Sequence, residues 1–377
     1  MKRLLKIDAT RHQAFFLWGP RKTGKTTLLR AQFPDARWYD LLNTDLKTRL
    51  LLHPEQLRHE VREHRPPLVI IDEVQKVPAL LDEVHWCIEN TATRFILSGS
   101  SPRKLKRGAA NLLGGRAIRV ELFPLTTVEI AQPDLLQIFH HGLLPQHYLA
   151  QEPEALLHSY VVDYLNEEIQ AEALTRNIPA FARFLDAVAV SHGELINYAN
   201  IARDCGVASK TVREYYQILE DTLMGYRLEP WRRKKKRRLI ETAKFYLFDV
   251  GVVRALKQMI RIQPRTEEFG RAFEQFILGE LRAYLSYRDS YLPMSFWRTS
   301  TGLEVDCIVG PMTCAIECKG TTEVKVEHLK GLRGLLEEHH PKHALLVCCE
   351  ATPRRIEQIT ILPWQEFCRR LWAGELV

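Results

Sequence analysis

The sequence predicts an α/β protein with more than one domain. In the first third, apolar runs that end in polar residues alternate with helical patterns. In the middle, two short helical patterns are separated by Cys205-Gly206, and in the last third a hairpin pattern carries several carboxylates. A chain of 377 residues is long enough for about two to three domains of typical size.

The N-terminal stretch "FFLWGPRKTGKTTLLR" has the P-loop pattern between a predicted strand and a predicted helix. Glycines at its two fixed positions let backbone N–H groups wrap phosphates, Lys25 reaches the β- and γ-phosphate oxygens, and Thr26 holds Mg²⁺. We therefore expect ATP and Mg²⁺ as cofactors. The predicted nucleotide contacts are Gly19, Pro20, Arg21, Lys22, Thr23, Gly24, Lys25, Thr26 and Thr27.

Two further apolar runs end in residues that suit phosphate chemistry. "PLVIIDEVQ" predicts a buried strand that ends in Asp72 and Glu73, where Asp72 orients Mg²⁺ and Glu73 activates water. "RFILSGSS" predicts a third strand that ends in Ser98 and Ser100, a position from which a hydroxyl would contact the attacking water or the γ-phosphate. Three such strand ends in order predict an ATPase.

These segments, with "LLGGRAIRVELFPLTTVEI", resemble the AAA-type ATPases of the bacterial and archaeal group whose C-terminal half is a domain of unknown function. The resemblance implies that an arginine before the fifth strand completes a neighbouring subunit's site, which points to Arg116. Arg103, Arg107 and Arg119 are the other candidates. It also implies a homo-oligomer, for which a hexameric ring is one arrangement.

The middle of the chain predicts a helical connector followed by a helix-turn-helix. A helix from Tyr198 to Asp204 ends at Cys205-Gly206, and a second helix follows Ser209. In the second helix, Lys210, Thr211 and Arg213 are the predicted DNA-contacting positions. The alternative is a winged-helix packing module that binds no nucleic acid.

Seven consecutive basic residues follow, between two runs that read as strands, so we place them at a hairpin tip. Like charges in series repel one another, and phosphate contacts would relieve that repulsion in a salt-dependent, sequence-independent manner. The predicted phosphate contacts are Arg232, Arg233, Lys234, Lys235, Lys236, Arg237 and Arg238. A solvated loop is the alternative. The next stretch, "AKFYLFDVGVVRAL", has a Lys-x-Tyr-x-x-Asp-x-Gly segment that is usual in the same ATPase group.

The hairpin "TGLEVDCIVGPMTCAIECKG" places carboxylates on one face. If its turn centres on Pro311-Met312, paired residue numbers sum to 623, so that Asp306 lies opposite Glu317 and Glu304 lies opposite Lys319. A cross-strand ion pair between Glu304 and Lys319 at a solvated surface is one interpretation.

A second interpretation comes from Glu274 in the preceding helical pattern. The pattern is a glutamate on a helix, an aspartate on a strand and Glu-x-Lys on the next strand, here Glu274, Asp306 and Glu317-Cys318-Lys319. It resembles the restriction-endonuclease-like nucleases, most closely the archaeal Holliday-junction resolvases. The resemblance implies that Asp306 and Glu317 bind one or two Mg²⁺ with support from Glu274, because Mg²⁺ prefers carboxylate oxygens. Lys319 would position the attacking water or stabilise charge on the phosphate.

Composition limits the partners. The net charge of +7 permits an acidic polymer as partner without requiring one. The eight cysteines form no CxxC pair, and most lie in apolar runs, which favours a reducing compartment. No run is apolar enough for a signal peptide or a membrane helix. We therefore expect a cytoplasmic protein with no membrane partner.

Together these features predict an ATPase domain (1–130), a helical connector (131–190), a winged-helix domain (191–262) and a restriction-endonuclease-like α/β domain (263–377). The favoured function is ATP-driven processing of branched or structured DNA. Two alternatives stay open: a DNA-binding ATPase with a catalytically silent nuclease fold, and a nucleotide-controlled signalling or defence switch.

Overall fold

The computed structural model describes residues 2–103, 113–164, 169, 177–231 and 242–377, in two compact units. One unit holds Met1–Pro124 with Asp221–Leu223, and the other holds Leu125–Glu220 with Met224–Val377. The predicted connector, winged helix and C-terminal domain thus lie within one unit, and the boundaries predicted between them stay predictions.

The first unit is a parallel sheet with helices. Its strands are β1 (Ala14–Trp18), β2 (Arg37–Asp40), β3 (Leu68–Asp72), β4 (Arg94–Gly99) and β5 (Ala117–Glu121). Its helices are α1 (Lys25–Gln32), α2 (Thr44–Leu52), α3 (Glu55–His64) and α4 (Leu80–Asn90). The strand order is β2-β3-β4-β1-β5, with every pairing parallel.

This order explains why the predicted nucleotide residues converge. β4 lies between β1 and β3, so the carboxyl ends of the three strands that carry the predicted motifs are adjacent. The first four residues of β3 are Leu68-Val69-Ile70-Ile71, a β-rich apolar run, and a parallel strand covered on both faces needs such a sequence. In open α/β sheets, ligands bind at the carboxyl ends of the strands.

The second unit combines a helical part with a mixed sheet. Its first described helices are α5 (Leu135–His141), α6 (Pro145–Tyr148), α7 (Pro153–Asp163), α8 (Ile178–Val190), α9 (Tyr198–Cys205) and α10 (Ser209–Asp221). The later helices are α11 (Val250–Leu256), α12 (Glu267–Tyr287), α13 (Lys330–Leu336) and α14 (Trp364–Ala373). The strands are β6 (Gly225–Pro230), β7 (Lys244–Leu247), β8 (Met294–Arg298), β9 (Glu304–Val309), β10 (Cys314–Lys319), β11 (His343–Cys348), β12 (Arg354–Ile356) and β13 (Ile359–Pro363).

The helix pair expected in the middle of the chain is present as α9 and α10. Asn197 caps α9 by accepting a hydrogen bond from the Asn200 amide, and Gly206 ends it in the left-handed region at φ 67°. α10 then buries Val212 and Tyr216 on one face. The helices are followed by the antiparallel pair β6 and β7, and Leu195 forms an isolated bridge with Lys244.

The hairpin pair β6–β7 is continuous with the C-terminal sheet. The strand order is β12-β13-β11-β10-β9-β8-β6-β7, and β6 joins β8 in parallel through Glu229 and Pro230. Lys244 and Tyr246 on β7 are therefore part of the same sheet as the carboxylates of β9 and β10. The expected register of β9 and β10 is confirmed, since Val309 pairs with Cys314 and Cys307 with Ile316.

The Asp-x-Gly half of the Lys-x-Tyr-x-x-Asp-x-Gly segment has a packing role. Asp249 caps α11 by accepting a hydrogen bond from the Val252 amide, and it also accepts one from the Leu143 amide at 2.7 Å. A Cβ atom on Gly251 would lie 2.6 Å from the backbone nitrogen of Gly142. Asp249 and Gly251 thus fix α11 against the end of α5.

We expect Gly251→Ala to lower the free energy of unfolding by about 1–3 kcal/mol, because the new methyl group meets backbone that cannot move aside. Chemical denaturation of the whole chain measures this effect. Gly270→Ala is the matched control, because a Cβ there has no heavy atom within 4 Å and the helix gains about 0.4–1 kcal/mol. Equal free energies of unfolding for the two variants would show that the close approach of Gly251 to Gly142 does not matter for stability.

Candidate functional site

The P-loop connects β1 to α1 in the geometry that phosphate binding requires. Gly24 has φ 91°, which L-residues rarely adopt, and a Cβ on Gly19 would lie 2.5 Å from the Leu122 carbonyl oxygen. The Lys25 ammonium donates to the carbonyl oxygens of Gly19, at 2.7 Å, and Pro20, at 3.1 Å. Lys25 is therefore held over the loop in which phosphates would lie.

Thr26 and Asp72 meet where the sequence places the magnesium pair. The Thr26 hydroxyl donates to Asp72 Oδ2 at 2.6 Å, and the buried Ser98 hydroxyl donates to Asp72 Oδ1. A hydroxyl and a carboxylate at the end of the P-loop are oxygen ligands that Mg²⁺ accepts, so these residues fit the ion. The predicted role of Ser98 at the γ-phosphate stays a prediction, since its observed contact is with Asp72.

Glu73 belongs to a polar network that the sequence analysis did not identify. Burial raises the pKa of Glu73, whose backbone is left-handed at φ 59°. The Gln75 side-chain amide donates to Glu73 Oε2 and lies 3.3 Å from Ser100 Oγ. Gln75 thus connects the predicted water-activating carboxylate to the end of β4. Gln75 lies in a mostly polar stretch after β3, between Glu73 and Lys76, and no local pattern distinguishes it.

Arg116 lies just before β5, as expected, with an exposed side chain. Its guanidinium pairs with Glu89 Oε1 on α4 at 2.5 Å. An exposed ion pair of this kind contributes about 0–1 kcal/mol, so a neighbouring subunit could draw Arg116 away at little cost. Its role as an arginine finger stays a prediction. Among the alternatives, Arg107 lies outside the described residues.

The predicted DNA contacts are described only in part. Lys210 and Arg213 are exposed on α10, whereas Thr211 is half-buried, and the Arg213 guanidinium stacks 3.9 Å from the centre of the Tyr198 ring. The basic run, Arg232 to Arg238, lies outside the described residues.

In the C-terminal sheet, Asp306 and Glu317 are buried side by side. Asp306 Oδ2 accepts a hydrogen bond from the Cys318 amide at 2.8 Å, so its carboxylate occupies the ladder position between β9 and β10. Burial and the Asp306 charge raise the pKa of Glu317 well above its ordinary value. Glu317 Oε1 pairs with Lys319 Nζ at 2.6 Å, while Oε2 has no hydrogen-bond partner among the described residues.

The cross-strand ion pair between Glu304 and Lys319 is not formed. Lys319 turns to Glu317, two residues along its own strand, and Glu304 instead pairs with Lys244 and, at 2.9 Å, with Arg298. The ion-pair interpretation was therefore wrong about the partners, although both side chains are partly exposed. Arg298 lies opposite Glu304 on β8, and Lys244 contacts it from β7.

Glu274 projects from α12 toward the same region, with two partners that the sequence analysis missed. The Tyr246 hydroxyl donates to Glu274 Oε1, and Lys244 Nζ lies 3.5 Å from the same oxygen. Burial and the Asp306 charge raise the pKa of Glu274, while Lys244 opposes the rise. The Lys-x-Tyr half of the sequence segment was the signal for these two residues.

The residues fit a divalent cation in part. A buried carboxylate oxygen without a partner, on Glu317, next to a second carboxylate suits a hard cation. Within the described ranges, however, no three His, Cys, Asp or Glu side chains converge closely enough to hold a metal ion as placed. Asp306 and Glu317 are thus a two-carboxylate site from which Glu274 is held back by Tyr246 and Lys244.

Comparisons with known proteins divide the chain into three stretches. Residues 11–131 match the family described as AAA domain. This stretch is similar to AAA domains. Residues 132–264 match a domain of unknown function, DUF8612, and residues 269–367 match another, DUF4143. The AAA-type domain therefore precedes a C-terminal DUF4143 stretch, as the sequence resemblance implied.

Three curated proteins are similar to this chain over part of its length. The uncharacterized proteins Rv2008c of Mycobacterium tuberculosis and Mb2031c of Mycobacterium bovis are each 29% identical over 308 residues, which is 78% of this chain and 66% of theirs. The chain thus spans slightly less than two thirds of their length. An uncharacterized protein of Haemophilus influenzae is 22% identical over 49% of this chain and 51% of its own.

Solved structures show distant likeness. The Walker-type ATPase PABY2304 of Pyrococcus abyssi covers 66% of this chain and 92% of its own, with 15% identity and a TM-score of 0.43. The ORC1 protein of Aeropyrum pernix, solved in complex with DNA, covers 66% of this chain and 88% of its own, with 13% identity and a TM-score of 0.26. Likeness this distant carries no argument about what this chain does.

All eight cysteines are free thiols, and no helix in the described part of the chain is both long and apolar enough to cross a bilayer.

The AAA-type site generates a two-variant prediction. We expect Lys25→Ala to reduce ATP turnover by about 10²-fold or more, because the phosphates lose the cation aimed at them. Glu73→Gln should retain ATP binding and lose hydrolysis, because an amide cannot accept a proton from water. Turnover assays with equilibrium binding of labelled ATP distinguish the two, and exposed Lys76→Ala is the control. Normal hydrolysis by Glu73→Gln would remove Glu73 from the role of base.

Proposed function

We propose that the chain is an ATP-hydrolysing, DNA-processing protein that binds branched or structured DNA and cuts it at a Mg²⁺-dependent site in its C-terminal stretch. The observation that carries the nuclease part is the Glu317 carboxylate. It is buried next to Asp306, with one oxygen on Lys319 and the other without a partner among the described residues. Such a buried carboxylate oxygen is costly unless a cation or a proton binds it, and a divalent ion would also engage the neighbouring Asp306.

ATP hydrolysis follows from the AAA-type site. Thr26 and Asp72 would hold Mg²⁺, which when bound neutralises phosphate charge and orients the nucleotide. Lys25 supplies the phosphate cation, and Glu73 accepts a proton from the attacking water. Burial, which raises the pKa of Glu73, brings it closer to the range in which a carboxylate is an effective base.

At the C-terminal site each residue has one task. Asp306 and Glu317 would hold Mg²⁺, which when bound lowers the pKa of its water and stabilises charge on a phosphate. Glu274 is the supporting carboxylate on α12. Burial would lower the pKa of Lys319, but Asp306 and Glu317 raise it, so Lys319 stays an ammonium that can position water or phosphate.

The DNA is recognised through its backbone in this proposal. Lys210 and Arg213 present cations on the exposed face of α10, and the run from Arg232 to Arg238 adds sequence-independent phosphate contacts. The choice of branched DNA rests on the resolvase-like arrangement of the carboxylates. Arg116, exposed beside β5, would complete the ATP site of a second copy in a homo-oligomer.

One observation favours a second candidate, a DNA-binding ATPase with a silent nuclease fold. The Lys244 ammonium already neutralises Glu304 and approaches Glu274, as a permanent counter-ion would in a fold that no longer binds metal.

We expect Asp306→Asn to lower Mg²⁺-dependent cleavage of a four-way DNA junction by about 10²-fold or more, because several kcal/mol of charge stabilisation depend on that ligand. ATP turnover should stay unchanged. Gel analysis of labelled junctions measures cleavage, with Asp289→Asn as the control, an exposed aspartate whose left-handed backbone asparagine tolerates. DNA-stimulated turnover without cleavage by the wild type would favour the silent fold.

A further inference from the structure

A cavity of about 470 Å³ is lined by Glu274 and Glu304, and its walls come from both sides of the boundary between the two C-terminal family stretches. Residues 192–195, Lys244 and Tyr246 line it from the DUF8612 stretch. Arg271, Glu274, Arg298 and Glu304 line it from the DUF4143 stretch. The cavity is therefore composite, and Lys244 contacts two carboxylates across the boundary.

Lys244 is buried to 4% exposure, yet it carries an ammonium group. Its Nζ contacts Glu304 Oε1, lies 3.5 Å from Glu274 Oε1 and sits 5.5 Å from the centre of the Phe296 ring. Two carboxylates therefore lie against the side-chain nitrogen of this buried lysine, and they are its counter-ions.

Lys244 and Tyr246 also determine where Glu274 points. Both contact Glu274 Oε1, so that carboxylate is engaged on the β7 side of the site. On the other side, Glu317 Oε2 is buried and has no partner among the described residues. The cluster therefore has a vacant carboxylate oxygen at one end and a lysine that holds the third carboxylate at the other.

We propose that Lys244 is the resident cation of this site and neutralises Glu274 and Glu304 in the metal-free protein. Glu274 can join Asp306 and Glu317 as a third metal ligand only after Lys244 releases it. The proposal rests on the metal site of the proposed function and adds a positioning residue that sets its metal affinity. Four carboxylates, Glu274, Glu304, Asp306 and Glu317, face three cations, Lys244, Lys319 and Arg298. These groups carry one net negative charge when all are ionised, which favours a further cation.

The proposal predicts opposite effects on metal binding and on metal-free stability. In Lys244→Met the competing charge is gone, so Mn²⁺ should bind at least about tenfold more tightly than in the wild type, with one ion per chain. In EDTA the same variant should unfold at a lower temperature, since its carboxylates lack a counter-ion. Mn²⁺ should restore the melting temperature toward that of the wild type, because an ion that binds only the folded state stabilises it.

Calorimetric titration with Mn²⁺ and thermal unfolding, both on the whole chain without nucleotide, measure these effects. Lys257→Met is the matched control, since Lys257 is a largely buried lysine that pairs with Glu268 at 2.8 Å. It should lose stability without gaining metal affinity. Asp306→Asn should lose Mn²⁺ binding at the carboxylate site, so any Mn²⁺ that still binds to this variant lies elsewhere, for example at the P-loop.

Equal Mn²⁺ affinities for the wild type and Lys244→Met would overturn the competition and leave the nuclease proposal standing. Absence of Asp306-dependent Mn²⁺ binding in both proteins would overturn the nuclease proposal and the competition together. If Lys244→Met does not fold, Lys244→Gln, which retains a hydrogen-bond donor without the charge, replaces it. Failure of both variants to fold in Mn²⁺ as well as in EDTA would show that metal cannot replace the ammonium, which contradicts the proposal.

Discussion

Four carboxylates in one poorly solvated region must be neutralised, and the architecture of the C-terminal unit follows from that requirement. Each buried negative charge costs free energy unless a cation or hydrogen-bond donors accompany it. Lys319 pairs with Glu317. Glu304 pairs with both Arg298 and Lys244, and Asp306 accepts a hydrogen bond from the Cys318 amide. Glu317 Oε2 has no such partner among the described residues, and this oxygen is where we expect a further cation to bind.

The contacts that neutralise these carboxylates also cross between the middle stretch and the C-terminal stretch, which form one unit. Lys244 and Tyr246 belong to β7, which joins the C-terminal sheet through β6 and β8. A C-terminal stretch without β7 would lack the cation for Glu274 and the donor from Tyr246. The Asp-x-Gly part of the same segment fixes α11 against the end of α5, so one short motif serves both the packing and the site.

Sequence reasoning predicted those features that depend on local pattern. The P-loop, the strand ends at Asp72 and Ser98, and the β9–β10 register follow from spacing and alternation, which act within a few residues. The Lys-x-Tyr segment marked Lys244, but its partners were not predictable in this way, because they depend on the long-range parallel pairing of β6 with β8. For the same reason Gln75 was missed: its contact with Ser100 depends on the approach of β3 and β4.

Anomalous scattering from crystals of the nucleotide-free protein soaked in Mn²⁺ can show whether a metal ion replaces a lysine at the carboxylate site. We expect one Mn²⁺ bound by Asp306, Glu317 and Glu274, with the Lys244 ammonium withdrawn from Glu274. A map with no Mn²⁺ at Asp306 and Glu317, or one in which the ion is present while Lys244 stays against Glu274, would contradict this expectation.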